Sequence, residues 1–123
     1  MTAAGLYSGP IKERWRRPRF RGDLAAPTAV AEDVNPLCGD RVRIMLTLDG
    51  PTIADARFAG DSCAICAASA DVLLETVHGR SVAEALAITP DDLVRALQAE
   101  IRPTRMKCVT LPVSVLRTAL HAA

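Results

Sequence analysis

Residues 41–58 read Arg-Val-Arg-Ile-Met-Leu-Thr-Leu-Asp-Gly-Pro-Thr-Ile-Ala-Asp-Ala-Arg-Phe, and their pattern decides the fold. Val42, Ile44, Leu46 and Leu48 alternate with Arg41, Arg43, Met45 and Thr47, a period of two that marks a strand with one buried face. Asp49-Gly50-Pro51 is a turn signal. Residues 52–58 then read as a second strand, folded back antiparallel on the first, and Gly60-Asp61 breaks it.

Downstream of this hairpin the period changes. Ile65, Ser69, Val72, Leu73 and Val77 fall on one stripe at helical spacing, which predicts a helix from about Ala64 to Val77, ended by His78-Gly79. Ser81 and Glu84 form a capping-box pattern for a short helix through Ala87. Thr89-Pro90-Asp91-Asp92 combines a cap, a first-turn proline and two acids at the positive end of the dipole, and predicts a helix to about Glu100. Arg102-Pro103 interrupts the chain. A last helix carries Val113, Leu116 and Leu120, and Pro112 places its first turn near that residue.

Upstream, Pro10 suits the start of a short helix over residues 11–17, which Pro18 stops. Residues 22–36 are rich in Ala, Pro, Gly and Asp and read as an irregular connector. Strands come early and helices late, without βαβ alternation. The expected fold is therefore α+β, with helices packed on one face of a small antiparallel sheet in a single domain spanning residues 1–123.

Composition narrows the function. Half of the 123 residues are apolar but only Tyr7, Trp15, Phe20 and Phe58 are aromatic, so the core is aliphatic. A net charge of +1 supplies no field for nucleic acid or an anionic membrane. Between Lys12 and Arg21 six basic residues stand against one acid, which reads as a solvated face or as a docking arm for an acidic surface. Arg16-Arg17 is followed by charge and Pro18 rather than an apolar stretch, so it is not read as a targeting signal. No stretch approaches the roughly 18 apolar residues of a membrane span. The expected setting is the cytoplasm.

In that setting the four cysteines read as metal ligands or reactive thiols rather than disulfides. Cys38 lies in a Pro-Leu-Cys-Gly-Asp loop before a strand, Cys63 starts a helix, and Cys108 precedes the last helix. A thiol near a helix N-terminus is favoured as thiolate, the form that binds soft metals or attacks sulfur, and Arg105 and Lys107 add positive charge beside Cys108. Gly39 lets Cys38 and Asp40 approach one ion together. Three thiolates and a carboxylate suit tetrahedral Zn²⁺ or iron. The oxygen donor is weak toward soft iron, which suits a carrier more than a permanent redox centre. Cys63-Ala-Ile-Cys66 is a CxxC, and Cys66 reads either as small buried packing or as an auxiliary thiol. His78 and His121 read as capping or solvated residues.

These motifs resemble the IscU/SufU-type iron–sulfur cluster assembly scaffolds, the NifU N-terminal-like family. The pieces are Asn35-Pro36-Leu37-Cys38-Gly39-Asp40, Ala54-Asp55-Ala56-Arg57-Phe58-Ala59-Gly60, Cys63-Ala64-Ile65 with Ala68-Ser69, Lys107-Cys108, and an opening with Tyr7 and Pro18-Arg19-Phe20-Arg21-Gly22. The resemblance implies a three-stranded sheet and a ligand set of Cys38, Asp40, Cys63 and Cys108. It also implies a cysteine desulfurase partner that delivers sulfur to Cys108, and apo iron–sulfur proteins as recipients.

Lys107 stands where IscU-like members carry histidine and resembles the SufU-like branch. The stretch between Cys63 and Cys108 is too short for the insertion of Gram-positive SufU members. Ile101-Arg102-Pro103-Thr104-Arg105-Met106 lacks the chaperone signal of IscU-like ones. Three functions fit. One is a scaffold that builds a transient 2Fe-2S cluster and passes it on, and the second a zinc-bound sulfurtransferase that activates a desulfurase. The third is a structural zinc module, for which an Asp ligand is unusual.

Overall fold

The hairpin expected at residues 41–58 is the centre of a three-stranded antiparallel sheet. The computed structural model describes residues 9–37 and 39–122. Cys38 and Tyr7 lie outside the described residues. After helix α1 (Gly9–Arg16), strand β1 (Ala29–Asn35) pairs with β2 (Asp40–Asp49), which pairs with β3 (Thr52–Ala59), in the order β1-β2-β3. Four further helices follow: α2 (Ala64–Val77), α3 (Val82–Leu86), α4 (Pro90–Leu97) and α5 (Met106–Ala122), the last preceded by a 3-10 turn at Pro103–Arg105.

The alternation in β2 has its expected consequence. Asp40, Val42, Ile44 and Leu46 are buried on the face that meets the helices, while Arg41 and Arg43 are exposed on the other. Asp40 is therefore the polar end of an otherwise apolar row. Met45 departs from the pattern and is buried although it follows the outward-facing register, opposite Val30 and Arg57.

β1 corrects the reading of residues 22–36 as an irregular connector. Ala-Val-Ala-Glu-Asp-Val-Asn has little apolar periodicity, and its strand form comes from pairing along its whole length with β2, from Ala29 opposite Leu46 to Asn35 opposite Asp40.

α2 is buried from Ile65 through Leu74, not along one stripe. A helix apolar all round sits inside a fold. α1, α4, α5 and β3 all pack against it. Asp71 is the charged residue in this buried run, fully enclosed, and its carboxylate takes Arg14 Nη1 and the backbone N–H groups of Arg19 and Phe20, each at 2.8 Å. Arg14 and Arg19 also reach Glu75 at 2.8 and 3.5 Å. Part of the basic run is thus a latch that holds α1 and its exit on α2, while Lys12, Arg16 and Arg17 remain exposed.

α5 begins at Met106, well before Pro112, so the proline lies inside the helix. Its missing N–H leaves the Cys108 carbonyl without the usual helical donor. Packing wins here: Val109 and Leu111 are buried, contributing about 1.5–3 kcal/mol each, against roughly 3 kcal/mol for a mid-helix proline. The capping boxes at Ser81/Glu84 and Thr89/Asp92 form as expected, and α4 ends at Leu97 with Gln98 left-handed at φ 52°. Among the described residues no helix is long and apolar enough to cross a membrane.

Candidate metal and sulfur centre

Three separate stretches bring donors to one end of the sheet. Asp40 opens β2. The backbone of the preceding loop is closed by Gly39 N–H to Asn35 O at 2.8 Å, and the buried Asn35 side chain accepts the Leu37 N–H at 3.1 Å. Gly39 has φ +73°, a left-handed conformation that a glycine adopts without strain. The loop tip lies at the surface, with Leu37 79% exposed.

The second stretch returns from β3. Gly60, at φ +119°, passes so close to β2 that a Cβ would stand 2.2 Å from the Arg41 carbonyl oxygen. Arg41 N–H donates to Asp61 O at 2.8 Å, and the chain then turns into α2 with Cys63 as its N-cap. Cys63 N–H donates to Asp40 Oδ1 at 2.8 Å, and Cys63 Sγ accepts from the Cys66 N–H at 3.4 Å.

The third stretch is the start of α5. Cys108 lies in its first turn rather than ahead of the helix, and is 3% exposed. Its Sγ stands 3.4 Å from Cys63 Sγ and 3.5 Å from Asp40 Oδ2, and Cys63 Sγ is 3.8 Å from the same oxygen. A tetrahedral ion with metal–sulfur bonds of about 2.3 Å separates its sulfur ligands by roughly 3.8 Å. The observed spacings are of that size, so the three donors fit one soft metal ion or the edge of a cluster. Among the described residues these three form the one group of at least three His, Cys, Asp or Glu donors that could hold an ion. The fourth expected donor, Cys38, lies outside the described residues.

The electrostatics differ from the expectation of ready thiolates. Burial, then the neighbouring Cys63 and Asp40, push the Cys108 thiol up to about 12. The helix start does not overcome two acids at contact distance. Arg105, from the 3-10 turn, faces both thiols. Burial works against its charge, but Cys108 and Cys63 outweigh burial and hold its pKa above the usual value. Its Nε is buried and makes no hydrogen bond. Cys108 and Arg105 border an open cleft that Asn35, Leu37, Thr104 and Lys107 also line.

Of the remaining candidates, Cys66 is fully buried in the first turn of α2 and outside the three-donor group. Burial, then the charges of Asp40 and Cys63, push its thiol well above the ordinary range. His78 caps α2, meets the Phe20 ring at a tilt with centroids 5.5 Å apart and stands 3.8 Å from Asp55, away from the centre. Lys107 is exposed on the cleft wall and is not a donor. Two positioning residues carried weak sequence signals. Asn35 falls at the end of the stretch that reads as a connector and Gly60 at the strand break, although an asparagine two residues before the exposed Leu37 and a glycine beside an acidic turn are both candidates for closing a loop.

Comparison with known proteins agrees with this geometry. The chain is 33% identical to the zinc-dependent sulfurtransferase SufU of Bacillus subtilis (strain 168), the match covering 86% of this chain and 83% of that one. It is 30% identical to the iron–sulfur cluster assembly scaffold protein IscU of Thermotoga maritima, over 94% of this chain and 92% of that one. The crystal structure of the Fervidobacterium islandicum AW-1 SufU protein superposes with a TM-score of 0.81 at 30% identity, covering 94% and 96% of the two chains. The profile of the NifU-like N terminal domain matches residues 6–122. With the same sheet and helices and with Asp40, Cys63 and Cys108 gathered at one end, the chain belongs to the NifU-like N-terminal domain family.

Proposed function

We propose that the protein is an iron–sulfur cluster assembly scaffold. It accepts sulfur from a cysteine desulfurase, holds iron and a transient 2Fe-2S cluster as cargo, and passes them to apo-proteins in the cytoplasm. The convergence of Asp40, Cys63 and Cys108 carries this reading. Cys38, two residues before Asp40 in the loop, is assigned as the fourth donor, and Cys108 as the sulfur-accepting thiol because it borders the open cleft. Arg105 supplies positive charge to whichever of Cys63 and Cys108 loses its proton. Asp40 contributes an oxygen, a weaker donor than thiolate for soft iron, which favours release.

Anaerobic incubation with iron, cysteine and a desulfurase should give sulfur-to-iron absorption that moves to an apo-ferredoxin. A colourless protein under those conditions would sink the reading.

A second reading, a zinc-bound sulfurtransferase, is favoured by Lys107, which stands beside Cys108 but on the cleft wall and not among the donors. Cys38, Asp40, Cys63 and Cys108 would hold the zinc. Zinc, when bound, stabilises a coordinated thiolate against the burial that otherwise keeps Cys108 protonated. Desulfurase turnover should then rise on adding the protein and fall back with Cys108→Ala; an unchanged rate excludes this reading.

A further inference from the structure

Cys66 has no role in the centre described above, yet its position is specific. It is the third residue of α2, and Cys63 is that helix's N-cap. Residues three apart on an α-helix lie about 5 Å apart at Cα, within the roughly 4.4–6.8 Å that a disulfide spans. Cys63 Sγ already sits 3.4 Å from the Cys66 backbone nitrogen. The same Sγ is 3.4 Å from Cys108 Sγ. Cys63 Sγ therefore touches the Cys108 thiol on one side and the backbone of Cys66 on the other, and no solvent-borne reagent reaches the Cys66 thiol, which is fully buried.

The chemistry of cluster building leaves a task open for such a thiol. A persulfide carries its outer sulfur at the oxidation level of elemental sulfur, whereas a cluster contains sulfide. Two electrons are needed.

We propose that Cys66 is a resolving thiol that turns a persulfide on Cys63 into free sulfide. The inference rests on the sulfur-accepting function proposed above. In the first step the Cys63 thiolate attacks the outer sulfur of a Cys108 persulfide. The Cys63–sulfur bond forms, the Cys108–sulfur bond breaks, and Cys108 leaves as thiolate. In the second step the Cys66 sulfur attacks Cys63 Sγ. The Cys63–Cys66 disulfide forms, the bond to the outer sulfur breaks, and that sulfur departs with the Cys66 proton and its own as hydrogen sulfide. The two cysteine sulfurs are oxidised by two electrons in total and the outer sulfur is reduced by two. A dithiol reductant then restores the pair. While the disulfide stands, Cys63 is lost as a donor.

The test uses the full metal-free chain and Cys66→Ala, a change to the residue type of its buried neighbours. Both are charged with sodium tetrasulfide in the absence of thiols, desalted, and followed by sulfide assay and by mass spectrometry of tryptic peptides. Cleavage after Arg57 and Arg80 keeps Cys63 and Cys66 in one peptide, and cleavage after Lys107 puts Cys108 in another. The wild type should release one sulfide per chain and yield peptide 58–80 lighter by two hydrogens. The alanine variant should keep the extra sulfur and release at least about tenfold less sulfide. Retention of the extra sulfur by the wild type overturns the proposal, and so does a cross-link between Cys63 and Cys108. Because the donor is chemical, a desulfurase that fails to recognise the protein would count against the proposed function and leave this result standing.

Discussion

Asp40 uses its two carboxylate oxygens for different tasks toward Cys63: Oδ1 accepts the Cys63 backbone N–H at 2.8 Å, and Oδ2 faces the Cys63 and Cys108 sulfurs at 3.8 and 3.5 Å. One residue thereby fixes where α2 begins and supplies an oxygen donor to the centre. The hydrogen bond orients the carboxylate, and the buried end of β2 keeps it from turning away.

Asp40→Asn separates the two tasks. The amide oxygen can still accept from Cys63 N–H, while the negative charge that disfavours ionisation of Cys108 is gone. The pH midpoint of Cys108 alkylation in the metal-free protein is expected to fall relative to the wild type. A midpoint that stays put or rises contradicts the assigned charge coupling.

Cys108 is a thiol at neutral pH, so metal uptake must displace its proton. Calorimetric zinc binding in two buffers of different ionisation enthalpy should reveal the release, and affinity should weaken as pH falls. Stability runs the other way. The thiol pKa is raised from 9.0 to about 12 in the folded chain. The folded state therefore holds this proton more tightly than the unfolded state, and the contribution is complete below pH 9.0 and lost as pH rises toward about 12. Cys108→Ala should flatten that part of the metal-free stability profile. An identical alkaline decline in both proteins would show that another group causes it.

Gly60→Ala places a methyl 2.2 Å from the Arg41 carbonyl oxygen, and at φ +119° the backbone itself resists a side chain. A loss of at least about 2 kcal/mol is expected in chemical denaturation. Metal binding should weaken as well, because Arg41 adjoins Asp40. A variant of wild-type stability would mean that the two strands separate more easily than their hydrogen bonds imply.

Asp71→Ala removes a fully buried carboxylate, leaves Arg14 with Glu75 alone, and strands two backbone N–H groups. The cost should be about 3–5 kcal/mol. Limited proteolysis should then cut between α1 and β1 before the rest of the chain. Uniform cleavage would show that the latch does not anchor this segment on its own.

Much of this arrangement is written in local sequence patterns. The β2–β3 hairpin, the Ala64 start of α2 and the caps at Ser81 and Thr89 each depend on residues a few positions apart. β1 was illegible because Glu32 and Asp33 break any alternation and its strand form depends on β2 as a partner. α5 starts at Met106, earlier than the local rule for Pro112 implies, because the packing of Val109 and Leu111 overrides that rule. At the centre, Asp40 ahead of a strand and Cys63 at a helix start are legible locally, whereas Cys108 lies inside the first turn of α5 and not ahead of it. The protonation of Cys108 is not legible locally, since it depends on burial and on the approach of Asp40 and Cys63 from two other stretches.

The most direct test of the centre is cobalt(II) titration of the metal-free protein, read by visible absorption, in the wild type and in the Cys38, Asp40, Cys63, Cys66 and Cys108 alanine variants. One tetrahedral, thiolate-ligated cobalt per chain is expected in the wild type and in Cys66→Ala. The signal should be lost or strongly altered in the other four. An octahedral spectrum in the wild type, or a Cys66→Ala variant as impaired as Cys63→Ala, would contradict the assignment of these residues to a single centre.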